Sequence, residues 1–184
     1  MRKISAEYRD QQSLPDGRIL YFRAIRPNDR EKLHDAFHRL SPDSVRDRFF
    51  NMKLDLTPKE LTYFTEVDFR KHVALVAELA NGASLQPAAV GRFVRSREQP
   101  DHCEFAITVA DELQGQGIGK LMLWQLVHCA RDLGIRYIDA SVLRDNTRMT
   151  RLLHGTGLPL ESRIEDGILT FTLDIKPGLE ARAS

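Results

Sequence analysis

Apolar residues recur along this chain with two periods, and the switches between them mark out strands and helices. Residues 20–25 read as a short strand, closed by Arg26-Pro27. Asn28 or Asp29 then caps a helix whose apolar positions Leu33, Phe37 and Leu40 fall at i, i+4 and i+7. Ser41-Pro42-Asp43 opens a second short helix running towards Phe50. Thr57-Pro58-Lys59-Glu60 carries an N-cap, a proline at the first helical position and an acid three residues after the cap, which predicts a helix reaching Val67. From His72 the pattern turns strand-like over residues 72–78, 88–94 and 102–109, with a turn around Asn81-Gly82-Ala83-Ser84. Helical spacing returns at Ile118, Leu121, Met122, Leu126, Cys129, Ala130 and Leu133, and Gly134 stops it. A strand over 137–142 and a helix over 146–154 follow. Two strands, 161–165 and 168–173, then flank the hairpin pair Asp166-Gly167. The order predicts an α/β chain, antiparallel in its first half, with a β-α-β crossover in the middle.

Composition narrows the class. The 184 residues suit a single domain, taken as 14–176 between polar, flexible segments 1–13 and 177–184. At 42% hydrophobic the chain holds enough apolar material for a core, which excludes global disorder. Lys and Arg number 27 against 26 Asp and Glu, so no bulk charge draws the protein to nucleic acid or to an anionic membrane. Neither a membrane span nor the apolar stretch of a secretory signal is present in the sequence. Cys103 and Cys129 lack a C-x-x-C or zinc spacing and read as reduced thiols, so the expected location is cytoplasmic.

The stretch richest in chemistry is Gln114-Gly115-Gln116-Gly117-Ile118-Gly119-Lys120, between a strand and an amphipathic helix. Glycines there leave backbone N–H groups uncovered, and the helix start adds unpaired donors, together a site for phosphate or pyrophosphate. A Walker A loop fails because Gln114 and Leu121 stand where Gly and Ser or Thr are needed. A dinucleotide fingerprint fits Gly115 and Gly117 and finds Asp139 at a suitable distance. It puts its third glycine at Lys120, however, and sets the loop too far from the strand.

A third pattern, Gln/Arg-x-x-Gly-x-Gly/Ala, is met by Gln114, Gly117 and Gly119, and with it the chain resembles the GCN5-related N-acetyltransferases, the GNAT superfamily. Residues 138–149, with Asn146 and Met149, resemble the next strand and helix start of that family, and Arg23-Ala24-Ile25-Arg26-Pro27-Asn28-Asp29 its opening. Leu40-Ser41-Pro42-Asp43-Ser44, Arg48-Phe49-Phe50, residues 72–77 and residues 103–107 are similar to the Pat-type bacterial protein lysine acetyltransferases. The resemblance implies an α/β (α+β) GNAT fold: a mixed, mostly antiparallel central sheet of about six or seven strands with helices on both faces. It also implies an acetyl-CoA-dependent enzyme acting on a primary amine, either a protein lysine or a small molecule, by direct transfer. A homodimer is among the assemblies it allows. A non-catalytic acyl-CoA sensor is the alternative.

Site roles follow from the same resemblance. Glu104 corresponds to a catalytic glutamate, a general base for an amine whose pKa is about 10.4. Ile107, Thr108 and Val109 would offer backbone groups to the pantetheine arm and a donor to the oxyanion, and Asn146 would contact the same arm. The pyrophosphate falls to Gln114, Gly115, Gln116, Gly117, Ile118, Gly119 and Lys120. Leu153 occupies the usual place of a tyrosine acid, and His154 beside it reads as an exposed helix end. Arg46, Arg48, Arg70 and Lys71 are assigned to a solvated surface, and Cys103 to the core. His34 and His38 lie at i, i+4 but have no HExxH motif or third ligand, so no metal is expected.

Overall fold

The computed structural model describes residues 4–82, 84–165 and 167–176. Its strands are β1 (Arg9–Ser13), β2 (Ile19–Ala24), β3 (His72–Asn81), β4 (Ser84–Arg95), β5 (His102–Val109), β6 (Tyr137–Leu143), β7 (Leu160–Glu165) and β8 (Ile168–Asp174). They form one sheet in the order β1-β2-β3-β4-β5-β6-β8-β7. Every neighbouring pair is antiparallel except β5 and β6. That parallel pair needs a crossover, supplied by helix α4 (Ile118–Asp132). Helices α1 (Arg30–His38), α2 (Pro42–Phe49) and α3 (Pro58–Thr65) lie between β2 and β3 in the chain, and α5 (Thr147–His154) between β6 and β7.

The two faces of the sheet are covered differently. On one, α4 buries Met122, Leu123, Leu126 and Val127 completely. It lies so close to β4 that a Cβ on Gly91 would come within 2.6 Å of the Met122 sulfur. Strand alternation turns Val90, Arg92 and Val94 to the opposite face. There the short helices gather round Phe37, Val45 and Leu56, with Phe49 and Phe64 packed against them. Their starts follow the sequence: Ser41 Oγ accepts from Ser44 N, and Thr57 and Glu60 close a reciprocal capping box.

The expected architecture holds, with differences in detail. The sheet has eight strands rather than six or seven. The added edge strand β1 falls within residues 1–13, expected to be flexible, while Ile4 and Tyr8 beside it are buried. All five β1 residues are exposed, so no alternation announces the strand. Helix α3 stops at Thr65, short of Val67. Asp29 does not cap α1 with its side chain; it accepts from Arg26 N at 2.8 Å across a 3-10 turn. The expected tail, 177–184, lies outside the described residues.

Arg23 explains why Asp29 is drawn inwards. Its guanidinium grips Asp29 with two bonds, of 2.7 and 2.9 Å, and Glu78 on β3 with two of 3.0 Å. All three side chains are mostly buried. Burial raises the Asp29 pKa, but the hydrogen bonds from Arg23 and Arg26 N outweigh it and leave the carboxyl below its usual range. Arg23→Met leaves two buried carboxylates without their cation and is expected to cost about 3–5 kcal/mol of unfolding free energy in urea titrations. Arg23→Lys recovers only part of this, because an ammonium cannot grip two carboxylates in the same planar geometry.

Candidate active site

Strands β5 and β6 pair only at their beginnings. The register runs His102↔Tyr137, Cys103↔Ile138 and Glu104↔Asp139, after which β5 continues to Val109 and β6 to Leu143 without pairing. Residues 105–109 are thus laddered to β4 on one side, while the side towards β6 presents backbone donors and acceptors to the gap. The gap opens into a cleft of about 990 Å³.

Asp139 ties down the base of this fork. Its carboxylate meets His102 Nδ1 on β5 at 2.8 Å and accepts from Thr172 Oγ1 on β8 at 2.6 Å, while the His102 ring stacks on Tyr137 at 4.6 Å. One side chain on β6 therefore ties both its neighbours. Its oxygens are committed to this joint, which removes the acid that a dinucleotide reading would place on a ribose.

The cleft reaches the glycine loop at the start of α4. Gly115 and Gly117 have φ of 76° and 87°, and Gly117 is the N-cap of the fifteen-residue helix. A non-glycine residue is strained in that backbone region, and with no capping side chain the first helical N–H groups stay uncovered. Gly119 has ordinary backbone angles, and a Cβ there would meet nothing closer than 3.7 Å.

Of the residues singled out in the sequence, Glu104, Ile107, Thr108, Val109, Gln114, Gly115, Gly117, Gly119, Lys120 and Asn146 line the cleft. Gln116 and Ile118 do not. Gln116 accepts from Arg18 at 2.6 Å and donates to Glu112 O at 3.0 Å, and the Ile118 side chain is buried in the core. Only the backbone of these two residues remains for a ligand. The Gln114 amide is turned into the protein, donating to Ser44 Oγ, Val109 O and Asp111 Oδ1, while its oxygen accepts from Arg148. It shapes the loop from within. Asn146 caps α5 by accepting from Met149 N at 2.9 Å, leaving its amide nitrogen for the cleft.

Leu153 is fully buried, whereas Met149 and Leu152 line the cleft from α5. A phenol at 153 on this backbone would start from the core side of the helix. His154 is exposed, edge-on to Phe171, and is not part of the cleft wall. Cys103 is fully buried on the face away from Glu104, and burial pushes its thiol pKa far up.

The other end of the cleft holds charge, including Arg48, which the sequence reading left on the surface, and Arg92, which it did not single out. Glu104 is exposed there, and Arg48, Arg92 and Tyr63 share the wall. Arg46, by contrast, pairs with Asp145 on the exterior at 2.7 Å, and Arg70 and Lys71 are not in the wall. The Arg92 guanidinium sits over the Phe64 ring at 4.5 Å and meets Phe64 O and His72 Nε2 at 3.3 and 3.2 Å. Arg48 covers the Phe49 ring at 5.0 Å. Among the described residues neither arginine has a carboxylate at ion-pair distance. Burial, then the like charge of Arg48, pushes Arg92 down to about 9. Burial also lowers Arg48, against the attraction of Glu104.

The sheet forks beside a glycine-capped helix, with a carboxylate at the base of the fork, an arrangement in keeping with the acetyltransferase resemblance carried by the sequence. Comparison with known proteins agrees. The family model described as "Acetyltransferase (GNAT) domain" matches residues 20–158. An acetyltransferase of Pseudomonas aeruginosa is 31% identical over 125 residues, covering 68% of this chain and 67% of its own. Acetyltransferase Pat of Mycolicibacterium smegmatis is 30% identical over 161 residues, 88% of this chain but 47% of that protein, so the chain spans about half of that relative's length. The crystal structure of the GNAT domain of S. lividans PAT superposes with a TM-score of 0.84 at 28% identity, over 94% of this chain and 99% of the other. The chain belongs to the GNAT family of acetyltransferases, enzymes that use acetyl-CoA.

Two predictions follow from the local geometry. Gly117→Ala forces a side chain into the left-handed region and is expected to cost about 1–2 kcal/mol in chemical denaturation, while Gly119→Ala leaves stability near wild type. The second concerns His72, which accepts from Arg92 and must be neutral to do so. Burial, reinforced by Arg92, pushes its pKa down to about 4. From about pH 6.5, the usual histidine value, down to about 4 the unfolded chain binds a proton at this residue that the folded protein does not. Stability is therefore lost as pH falls through that window. His72→Gln, which keeps an acceptor for Arg92, is expected to melt with a flatter pH dependence between 6.5 and 4.5 than wild type.

Proposed function

We propose that the protein moves an acetyl group from acetyl-CoA to a primary amine by direct transfer in a ternary complex, with Glu104 as general base. The observation that carries this reading is an exposed carboxylate in the cleft, at the last residue where β5 and β6 still pair. Bound acetyl-CoA supplies the activated acyl group as a thioester. The uncovered N–H groups at the start of α4 suit its phosphates, and the free backbone edge of residues 107–109 suits its pantetheine arm, with Asn146 beside it. Glu104 takes the proton from the acceptor ammonium. Arg48 and Arg92 assist, because positive charge nearby disfavours the protonated amine. The acceptor is the amine of a protein lysine or of a small molecule.

One observation favours the second reading, a non-catalytic acyl-CoA sensor: Leu153 gives the cleft no phenol to protonate a leaving thiolate. A thiol with a reference pKa of about 8.5 leaves without such help, so the catalytic reading stands. Glu104→Gln separates the two. As an enzyme, the variant is expected to lose about 10²–10⁴-fold in kcat while binding acetyl-CoA as wild type does in calorimetry. Wild-type protein that binds acetyl-CoA yet acetylates no peptide or small amine in a broad screen is the sensor.

A further inference from the structure

Away from the cleft, the exposed face of α1 carries a second cluster of chemistry-bearing side chains. His34 and His38 stand one helical turn apart, and the segment between α2 and α3 brings Asp55 up to them. His34 Nε2 lies 2.8 Å from Asp55 Oδ1, His38 Nε2 lies 3.2 Å from the same oxygen, and the two Nε2 atoms are 3.3 Å apart. Sequence spacing alone offered no third ligand; folding supplies it.

These separations have a simple meaning. Nitrogen and oxygen ligands bind zinc at about 2.0–2.1 Å in a tetrahedron, which puts any two ligand atoms about 3.3–3.4 Å apart. Two of the three edges lie close to that value, and the third needs only a small opening of the His34–Asp55 contact. The arrangement is also held from behind. Asp55 Oδ1 accepts from Leu56 N at 2.7 Å, and Leu56 is buried beside Phe37, the neighbour of His38 on α1. The Phe37 ring meets the His38 ring edge-on at 5.5 Å. Both sides of the cluster thus rest on one apolar core, so forming the site requires little ordering of chain.

We propose that His34, His38 and Asp55 form a binding site for a zinc-type divalent ion, with a fourth position open to water. Two imidazoles and one carboxylate suit zinc, whereas magnesium and calcium call for oxygen ligands. The ion would fasten α1 to the segment that also carries Phe50 of the cleft wall and the exposed side chains of Met52 and Leu54. Its role is therefore to hold the acceptor side of the molecule in place, independently of the chemistry at Glu104.

The test uses chelator-treated full chain and ZnCl2 or CoCl2 as the probe. Zinc is expected to bind one-to-one in calorimetry and, in large excess over its dissociation constant, to raise the melting temperature by several degrees. Cobalt is expected to give the visible absorption of a four-coordinate site. The double variant His34→Ala/His38→Ala and the single variant Asp55→Asn should lose the cobalt spectrum and the zinc shift while melting, metal-free, near the metal-free wild type. The proposal is overturned if zinc gives no one-to-one binding, if the binding survives in the double variant, or if MgCl2 produces the same shift.

Discussion

The parting of β5 from β6 is the constraint on which the rest of this molecule depends. Two parallel strands held together along their length would leave no backbone free and no cleft. Here pairing ends at Glu104 and Asp139. A fork needs a firm base, because buried backbone groups left unpaired are costly and further parting of the strands would add to them. Asp139 provides this by bonding to His102 on β5 and Thr172 on β8. The helix that makes the parallel pairing possible, α4, begins at the far end of β5, so one crossover supplies both the free strand edge and the uncovered helix terminus. The close approach of α4 at Gly91 then sets its height above the sheet.

What could be read from the chain, and what could not, divides along physical lines. The capping box at Thr57, the amphipathic repeat of α4 and the glycines before it are local, and local patterns leave their mark in the order of residues. Strand β1 left none, since it is exposed at every position and owes its place to hydrogen bonds with β2. Arg48 and Arg92 were equally opaque. An arginine in a sequence reads as surface, and only the fold reveals that Phe49 and Phe64 lie beneath these two. Asp55 is a similar case, because its relation to His34 and His38 exists only after α1 and the later segment pack on the same core. Leu153 shows the converse. Its identity was legible, but its direction, into the core, depends on how α5 rolls against the sheet.

The unpaired arginines carry a cost that the fold must offset elsewhere. Burying a cation without a carboxylate beside it is unfavourable, and aromatic rings recover part of the loss. Phe64 serves both guanidiniums, and His72 gives Arg92 an acceptor only by staying neutral. Contrast Arg23, whose charge is fully met by Asp29 and Glu78 and whose work is mechanical. Among the described residues the protein thus neutralises Arg23 where the sheet must be stiff, and leaves Arg48 and Arg92 without a carboxylate at ion-pair distance in the cleft wall. The attraction of exposed Glu104 opposes, without overcoming, the effect of burial on the Arg48 guanidinium. Removing that carboxyl would also take from Arg48 an attraction that opposes its burial, while the like charge of Arg48 would still act on Arg92. The neutral amide of Glu104→Gln keeps the shape but not the charge. On the proposed reading, its loss of turnover would then combine the missing base with a cleft grown more positive, and such a cleft favours a neutral amine all the more while lacking the carboxylate proposed to take its proton.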